Sequence, residues 1–194
     1  RLWHASSTHT LKGRMSTAVE LAVHVRSNCW HGTDVERLAS LAARSTLDAV
    51  GDPGIVYQIS VLACDDDEIA ELNRSHRSRP EATDILSWPH AESGCPNRTL
   101  VGEPKIRKKF LGDLAIAWTY CRLDADRTGR HLDDHVKRLV VHGVLHLLGH
   151  DHDDSNSAEK MKEVETKILD SMGIDHQYTS RPGERARIFN WKGQ

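Results

Sequence analysis

His142, His146 and His152 stand in the frame H-x-x-x-H-x-x-G-x-x-H within residues 139–154. Two imidazoles at i and i+4 project from one face of a helix, one turn apart. Gly149, three residues further on, tolerates the left-handed conformation that ends a helix. The chain can then turn back and bring His152 to the other two. Three neutral imidazoles on one centre leave a fourth position open, which is the arrangement of a catalytic zinc rather than a structural one. Val140, Val141, Val144, Leu145, Leu147 and Leu148 surround the pair. Solvated histidines need no such surroundings, and buried ones need partners. His150 lies beside the set as an alternative to His152, which the spacing with Gly149 favours. Asp151, Asp153 and Asp154 are candidate acceptors for imidazole N–H groups.

In metallopeptidases built on H-E-x-x-H, the Glu after the first His is the general base. Gly143 holds that position here. Zinc lowers the pKa of a bound water to roughly 7 without that Glu. The metal geometry therefore survives and the peptidase base does not, which turns the reading towards another electrophile, a phosphodiester.

The elements that must position these residues follow from periodicity. Alternating Val19, Leu21, Val23 and Val25 predict a half-buried strand. Thr33 to Glu36 forms a capping-box pattern that opens a helix ending near Gly51. The β-branched run 55–63 predicts a second strand. The acidic run 65–68 reads as the capped start of a helix reaching about His76. Residues 83–89 predict a third strand closed by Pro89, residues 90–109 a long loop, and residues 110–117 a fourth strand. A helix over about 118–127 follows. The motif helix starts at Asp133 or Asp134, and a last helix, capped by Ser155 or Ser157, ends at Gly173. The order β-α-β-α-β-β-α-α-α predicts the α+β class, a small mixed four-stranded sheet with helices packed on it.

At 194 residues the chain is long enough for one domain with a sizeable core. Residues 1–14 read as a leader or upstream extension, 15–173 as the domain and 174–194 as a C-terminal tail. The net charge of −2 argues against binding nucleic acid through bulk charge and requires a local basic patch instead. Four widely spaced cysteines without C-x-x-C indicate neither a zinc ribbon nor a disulfide framework. No apolar run reaches transmembrane length, so a cytoplasmic protein is expected.

The block from His142 to His152 resembles the signature of the YbeY family, single-strand-specific endoribonucleases of bacterial rRNA maturation. Asn73-x-x-x-Arg77 followed by Thr83-Asp-Ile-Leu-Ser-Trp-Pro89 is similar to the family's N-x-x-x-R and T-D-V-L-S-F-P blocks, and Leu111-Gly-Asp-Leu-Ala-Ile116 to its L-G-D-I-x-I strand. His150 stands where a Tyr is common, and Trp88 where a Phe is. The resemblance implies a zincin-like fold around a central metal-binding helix. It also implies a zinc-dependent endoribonuclease acting at the 16S rRNA 3′ end, with the small ribosomal subunit or its assembly factors as partner. His142, His146 and His152 would hold Zn²⁺, although three imidazoles also suit Ni²⁺ or another transition metal. Arg77 is assigned to the active site, where a guanidinium can grip a phosphate bidentately. Arg74, Arg79, Lys105, Arg107, Lys108 and Lys109 are expected to extend a positive path for single-stranded RNA. Asp84 and Asp113 are expected to fix strand ends rather than move protons. The competing expectations are a metallopeptidase-like hydrolase and a non-catalytic ribosome-associated zinc protein.

Overall fold

A computed structural model describes residues 17–90, 107–152 and 154–175. Its elements, in chain order, begin with β1 (Ala18–Val25), a short 3₁₀ turn (Asn28–Trp30), α1 (Val35–Val50), β2 (Ile55–Cys64) and α2 (Asp66–Arg77). They continue with β3 (Ile85–Pro89), β4 (Arg107–Ala117), α3 (Trp118–Thr128), α4 (Leu132–Leu147) and α5 (Ser155–Ser171). The predicted order of strands and helices is the observed one, and the fold is α+β.

The four strands form one mixed sheet in the order β1-β2-β4-β3. β1, β2 and β4 run parallel, and β3 pairs antiparallel with β4 at the edge. β2 alternates Ile55, Tyr57, Ile59, Val61 and Ala63 inward with half-buried residues between them, which gives the sheet two unlike faces. The inward face joins Leu114 and Ile116 of β4 to the apolar sides of α1, α4 and α5 in the main core. The other face carries a smaller cluster, in which Cys64, Leu86, Ala115 and Ala117 lie under Ile69 of α2. Ile174, just past α5, is still in the main core at 3% exposure.

Several boundaries differ from expectation. β4 starts at Arg107 instead of Phe110. Its first four residues are exposed, because β3 pairs only with Gly112–Ile116 and leaves the start of β4 bonded to β2 alone. An exposed strand carries no hydrophobic alternation to read. Asp34, not Thr33, caps α1 by accepting from Arg37 N at 3.1 Å. Asp154, not Ser155 or Ser157, caps α5, in a reciprocal box with Ser157. The motif helix begins at Leu132, so Asp133 and Asp134 fall in its first turn, where the helix dipole favours them. At Gly112 the backbones of β3 and β4 come so close that a Cβ would lie 2.1 Å from the Trp88 carbonyl oxygen.

Candidate metal centre

α4 is buried on the side that faces the sheet, and its last two turns carry His142 and His146, each half-buried. The helix ends as its sequence dictates. Gly149 adopts φ +88°, its N–H donates to His146 O at 2.9 Å, and His150 N–H donates to Leu145 O at 3.0 Å. This paired closure is the Schellman motif, and it reverses the chain so that His152 returns to the helix. Asp151 fixes the returning segment by accepting from His152 N–H at 2.7 Å.

The result is a tight group. Ligand atoms of His142, His146 and His152 lie within 4.8 Å of one another. The three rings are separated by 4.6, 5.0 and 5.9 Å between centroids. The Nε2 atoms of His142 and His146 are 3.0 Å apart. Two nitrogens sharing a tetrahedral zinc at about 2.0–2.1 Å would stand roughly 3.3 Å apart. His152 Nε2 is buried without a hydrogen-bond partner among the described residues. A buried imidazole nitrogen left unpaired is costly, and a cation shared with the other two rings would satisfy it. The residues present therefore fit a metal ion. His150 is not among the three donors that lie together.

The electrostatics suit the same end. Burial, reinforced by His142 and His152, pushes the His146 imidazole down to about 4, against the opposing pull of Asp151 and a hydrogen bond to the His150 backbone. At neutral pH the ring is uncharged, the form that ligates metal. In the metal-free protein, unfolded His146 binds a proton more readily than the folded residue between about pH 6.5 and 4, so stability rises with pH there. Acidification from pH 7 through that window should cost the metal-free protein on the order of 3 kcal/mol from this residue. Urea midpoints of chelated protein at pH 7.5, 6 and 5 measure it, and a midpoint unchanged down to pH 5 would refute it.

Glu165 of α5 is a functional candidate that sequence reasoning missed. Its Oε2 lies 3.5 Å from His142 Nδ1, and its Oε1 lies 3.5 Å from an Arg138 guanidinium nitrogen. Burial opposes its ionisation, but the hydrogen bond to His142 and the charges of His142, Arg138 and His146 outweigh that and keep the carboxyl below its usual range. An anionic Glu165 orients the His142 ring through Nδ1 and leaves Nε2 facing the other histidines. The available signal was a carboxylate four residues after Met161 and three before Ile168, within the inward stripe of α5. Glu165→Gln keeps the shape and loses the charge, so it should weaken metal binding at the three histidines about 10- to 100-fold. Competition with a chromogenic chelator reads this directly, and unchanged affinity would exclude the orienting role.

Gly143 faces the sheet. A Cβ there would meet Leu114 Cδ2 at 2.8 Å, Ile85 Cδ1 at 2.9 Å and Ser87 Oγ at 3.3 Å. Close approach of α4 to β3 and β4 thus leaves little room for a side chain here, and the position of the peptidase glutamate is inside the packing.

The remaining candidates are dispersed. Arg77 ends α2, and Ser78 follows in the left-handed conformation. Asn73, 4% exposed, ties the segment after Arg77 by donating to Glu81 O at 2.7 Å. Next to Arg77, the His76 ring lies 5.2 Å from Trp88 of β3, and the neighbouring Ser87 packs beside Gly143. The end of α2 therefore borders the strand that underlies the histidine helix. Arg74 is exposed and paired with Glu71. Lys108 is exposed and paired with Glu20 of β1 at 2.6 Å. Arg79, Arg107 and Lys109 are exposed, the last two on β4 instead of in a loop. Lys105 and Asp153 lie outside the described residues, as do 1–14 and 176–194. Asp65 caps α2 by accepting from Glu68 N–H, in keeping with a capping role for the acidic run. Asp84 accepts from Ile85 N–H at 2.8 Å at the start of β3, while Asp113 is exposed on the far face of the sheet.

A mixed sheet with an antiparallel edge strand beside an H-x-x-x-H helix, and a third histidine returned by a glycine turn, defines a zincin-like frame whose three histidines can hold a metal ion. The family model described as Endoribonuclease YbeY matches residues 28–173. A Dinoroseobacter shibae protein named Endoribonuclease YbeY is 36% identical over 177 residues, covering 88% of this chain and 97% of its own. The Ruegeria pomeroyi protein of the same name is 42% identical over 146 residues, covering 73% and 88%. A Thermotoga maritima protein solved in solution matches with a TM-score of 0.48 at 21% identity, over 86% of this chain and 100% of that one. The chain belongs to the YbeY endoribonuclease family. Among the described residues, no helix is long and apolar enough to cross a membrane.

Proposed function

We propose that this protein is a zinc-dependent, single-strand-specific endoribonuclease that matures the 3′ end of 16S rRNA in the cytoplasm, in contact with the small ribosomal subunit. One observation carries the reading: three histidine donors within 4.8 Å of one another, beside a glycine where a peptidase would hold its base. His142, His146 and His152 are the ligands in this reading, and Glu165 fixes His142 from behind. When bound, the ion supplies a Lewis acid for a phosphoryl oxygen and lowers the pKa of water. Arg77 holds the scissile phosphate and stabilises the charge that develops on it. Arg74, Arg79, Lys105, Arg107, Lys108 and Lys109 supply cations along the RNA backbone, and Arg74 and Lys108 part from Glu71 and Glu20 to do so.

The test is cleavage of a 16S rRNA 3′-end fragment by wild type beside Arg77→Ala and His146→Ala, with bound metal measured in each. Cleavage by wild type alone supports the reading. Equal cleavage by all three would assign the activity to a contaminant, and cleavage of casein but not RNA would assign it to a peptidase.

A further inference from the structure

A second group of donors gathers around His135, on the same helix two turns before His142. His135 is 4% exposed, and neither of its ring nitrogens has a hydrogen-bond partner among the described residues. A buried imidazole always carries at least one N–H, so a wholly unpartnered ring implies that something else satisfies it. One ring nitrogen of His135, one carboxylate oxygen of Asp84 and one of Asp124 lie within 4.8 Å of one another. Both aspartates are half-buried. No hydrogen bond crosses from either carboxylate to the ring, so the three converge on a common space without closing it.

The donors come from three parts of the chain that packing brings together. Asp84 precedes β3, Asp124 is in α3 and His135 is in α4. Each carboxylate is held from its own side. Asp84 Oδ1 accepts from Ile85 N–H at 2.8 Å and from Thr83 Oγ1 at 3.0 Å. Asp124 Oδ1 accepts from the Arg127 guanidinium at 2.9 and 3.1 Å. Burial keeps the His135 imidazole below its ordinary value, against the pull of Asp124 and Asp84 and with help from Arg130 and Arg138. The ring is therefore neutral at pH 7 and able to ligate.

We propose that Asp84, Asp124 and His135 form a second cation site, separate from the three histidines, that takes a divalent transition metal such as Zn²⁺. Two carboxylate oxygens with one imidazole nitrogen are a mixed set that suits zinc or manganese. Seven residues of helix place His135 about 10 Å along the axis from His142. Paired catalytic ions stand roughly 3.5–4 Å apart, so this ion is structural. It braces α3 and the entry to β3 against α4. Ile85 and Ser87 of β3 are the residues that abut Gly143, so the brace holds the strand beneath the histidine helix.

The experiment uses the full chain equilibrated with Zn²⁺, freed of unbound metal and analysed for zinc per chain. Wild type should hold two equivalents. Asp124→Asn and Asp84→Asn, which keep shape and an acceptor oxygen, should each hold one and bind the second at least tenfold more weakly. His146→Ala should also hold one, and Asp124→Asn combined with His146→Ala should hold none. Thermal unfolding of His146→Ala should move upward with zinc, and that of the double variant should not. A single equivalent in wild type overturns the proposal. So does a second equivalent that survives in both aspartate variants, which would place that zinc elsewhere among the 13 histidines. Failure of the endoribonuclease reading would leave these counts unchanged.

Discussion

His146→Ala is expected to strip the ion from the three-histidine group and to lower RNA cleavage by more than about a thousandfold, while the protein stays folded. Losing one of three protein ligands should exceed the 10- to 100-fold loss typical of an outer-shell change. His146 is the most exacting position of the three. It is pushed down to about 4 and faces His142 Nε2 at 3.0 Å. Alanine keeps the helix, since it is the best helix former, and it removes a ring whose protonated form the site disfavours. Arg77→Ala is the informative companion. It should retain its metal and lose roughly 10²–10³ in kcat, the usual worth of a group aimed at developing charge. Metal content separates the two defects. Loss of metal from Arg77→Ala, or full cleavage by metal-free His146→Ala, would each contradict the assigned roles.

Much of this site is legible because its parts are close in sequence. His142, His146, Gly149 and His152 span barely three turns of chain, and helix periodicity with one left-handed residue suffices to converge them. Strand and helix order were also readable, since inward residues alternate plainly in β2 and recur along α1 and α4. What stayed hidden depends on contacts between distant elements. Glu165 reaches His142 across 23 residues of sequence and looks like any surface carboxylate until α5 is docked. Asp84, Asp124 and His135 share no local pattern at all. The basic start of β4 reads as loop, because a strand segment exposed on both faces has no apolar period. The caps were misplaced by one residue at α1 and by one or three at α5. Neighbouring Thr, Asp and Ser residues are near-equivalent caps, and only the geometry of the entering chain selects among them.

Gly143 was informative in sequence as a missing base, and the fold gives the absence a cause. Gly143→Glu should therefore not create a peptidase. It should destabilise the domain by more than about 4 kcal/mol, a large share of the 5–15 kcal/mol that a typical domain has. The new Cβ would stand 2.8–2.9 Å from Leu114 and Ile85 and 3.3 Å from Ser87 Oγ, so the carboxylate would have to be forced into the contact between helix and strands. Burying an unpaired carboxylate costs several kcal/mol on top of the steric displacement. Gly143→Ala separates the two costs. The atoms it meets are the far ends of Leu114 and Ile85 side chains, which can shift. Overpacking of about 1–3 kcal/mol is offset by the ~1 kcal/mol that alanine gains over glycine in a helix. The alanine variant should thus fall within about 2 kcal/mol of wild type in urea unfolding. Equal stability of Gly143→Glu and Gly143→Ala would show that α4 can lift from β3 and turn this position towards the histidines. A clear gap would mean that the approach of helix to strand, which positions the histidines, also excludes the peptidase base.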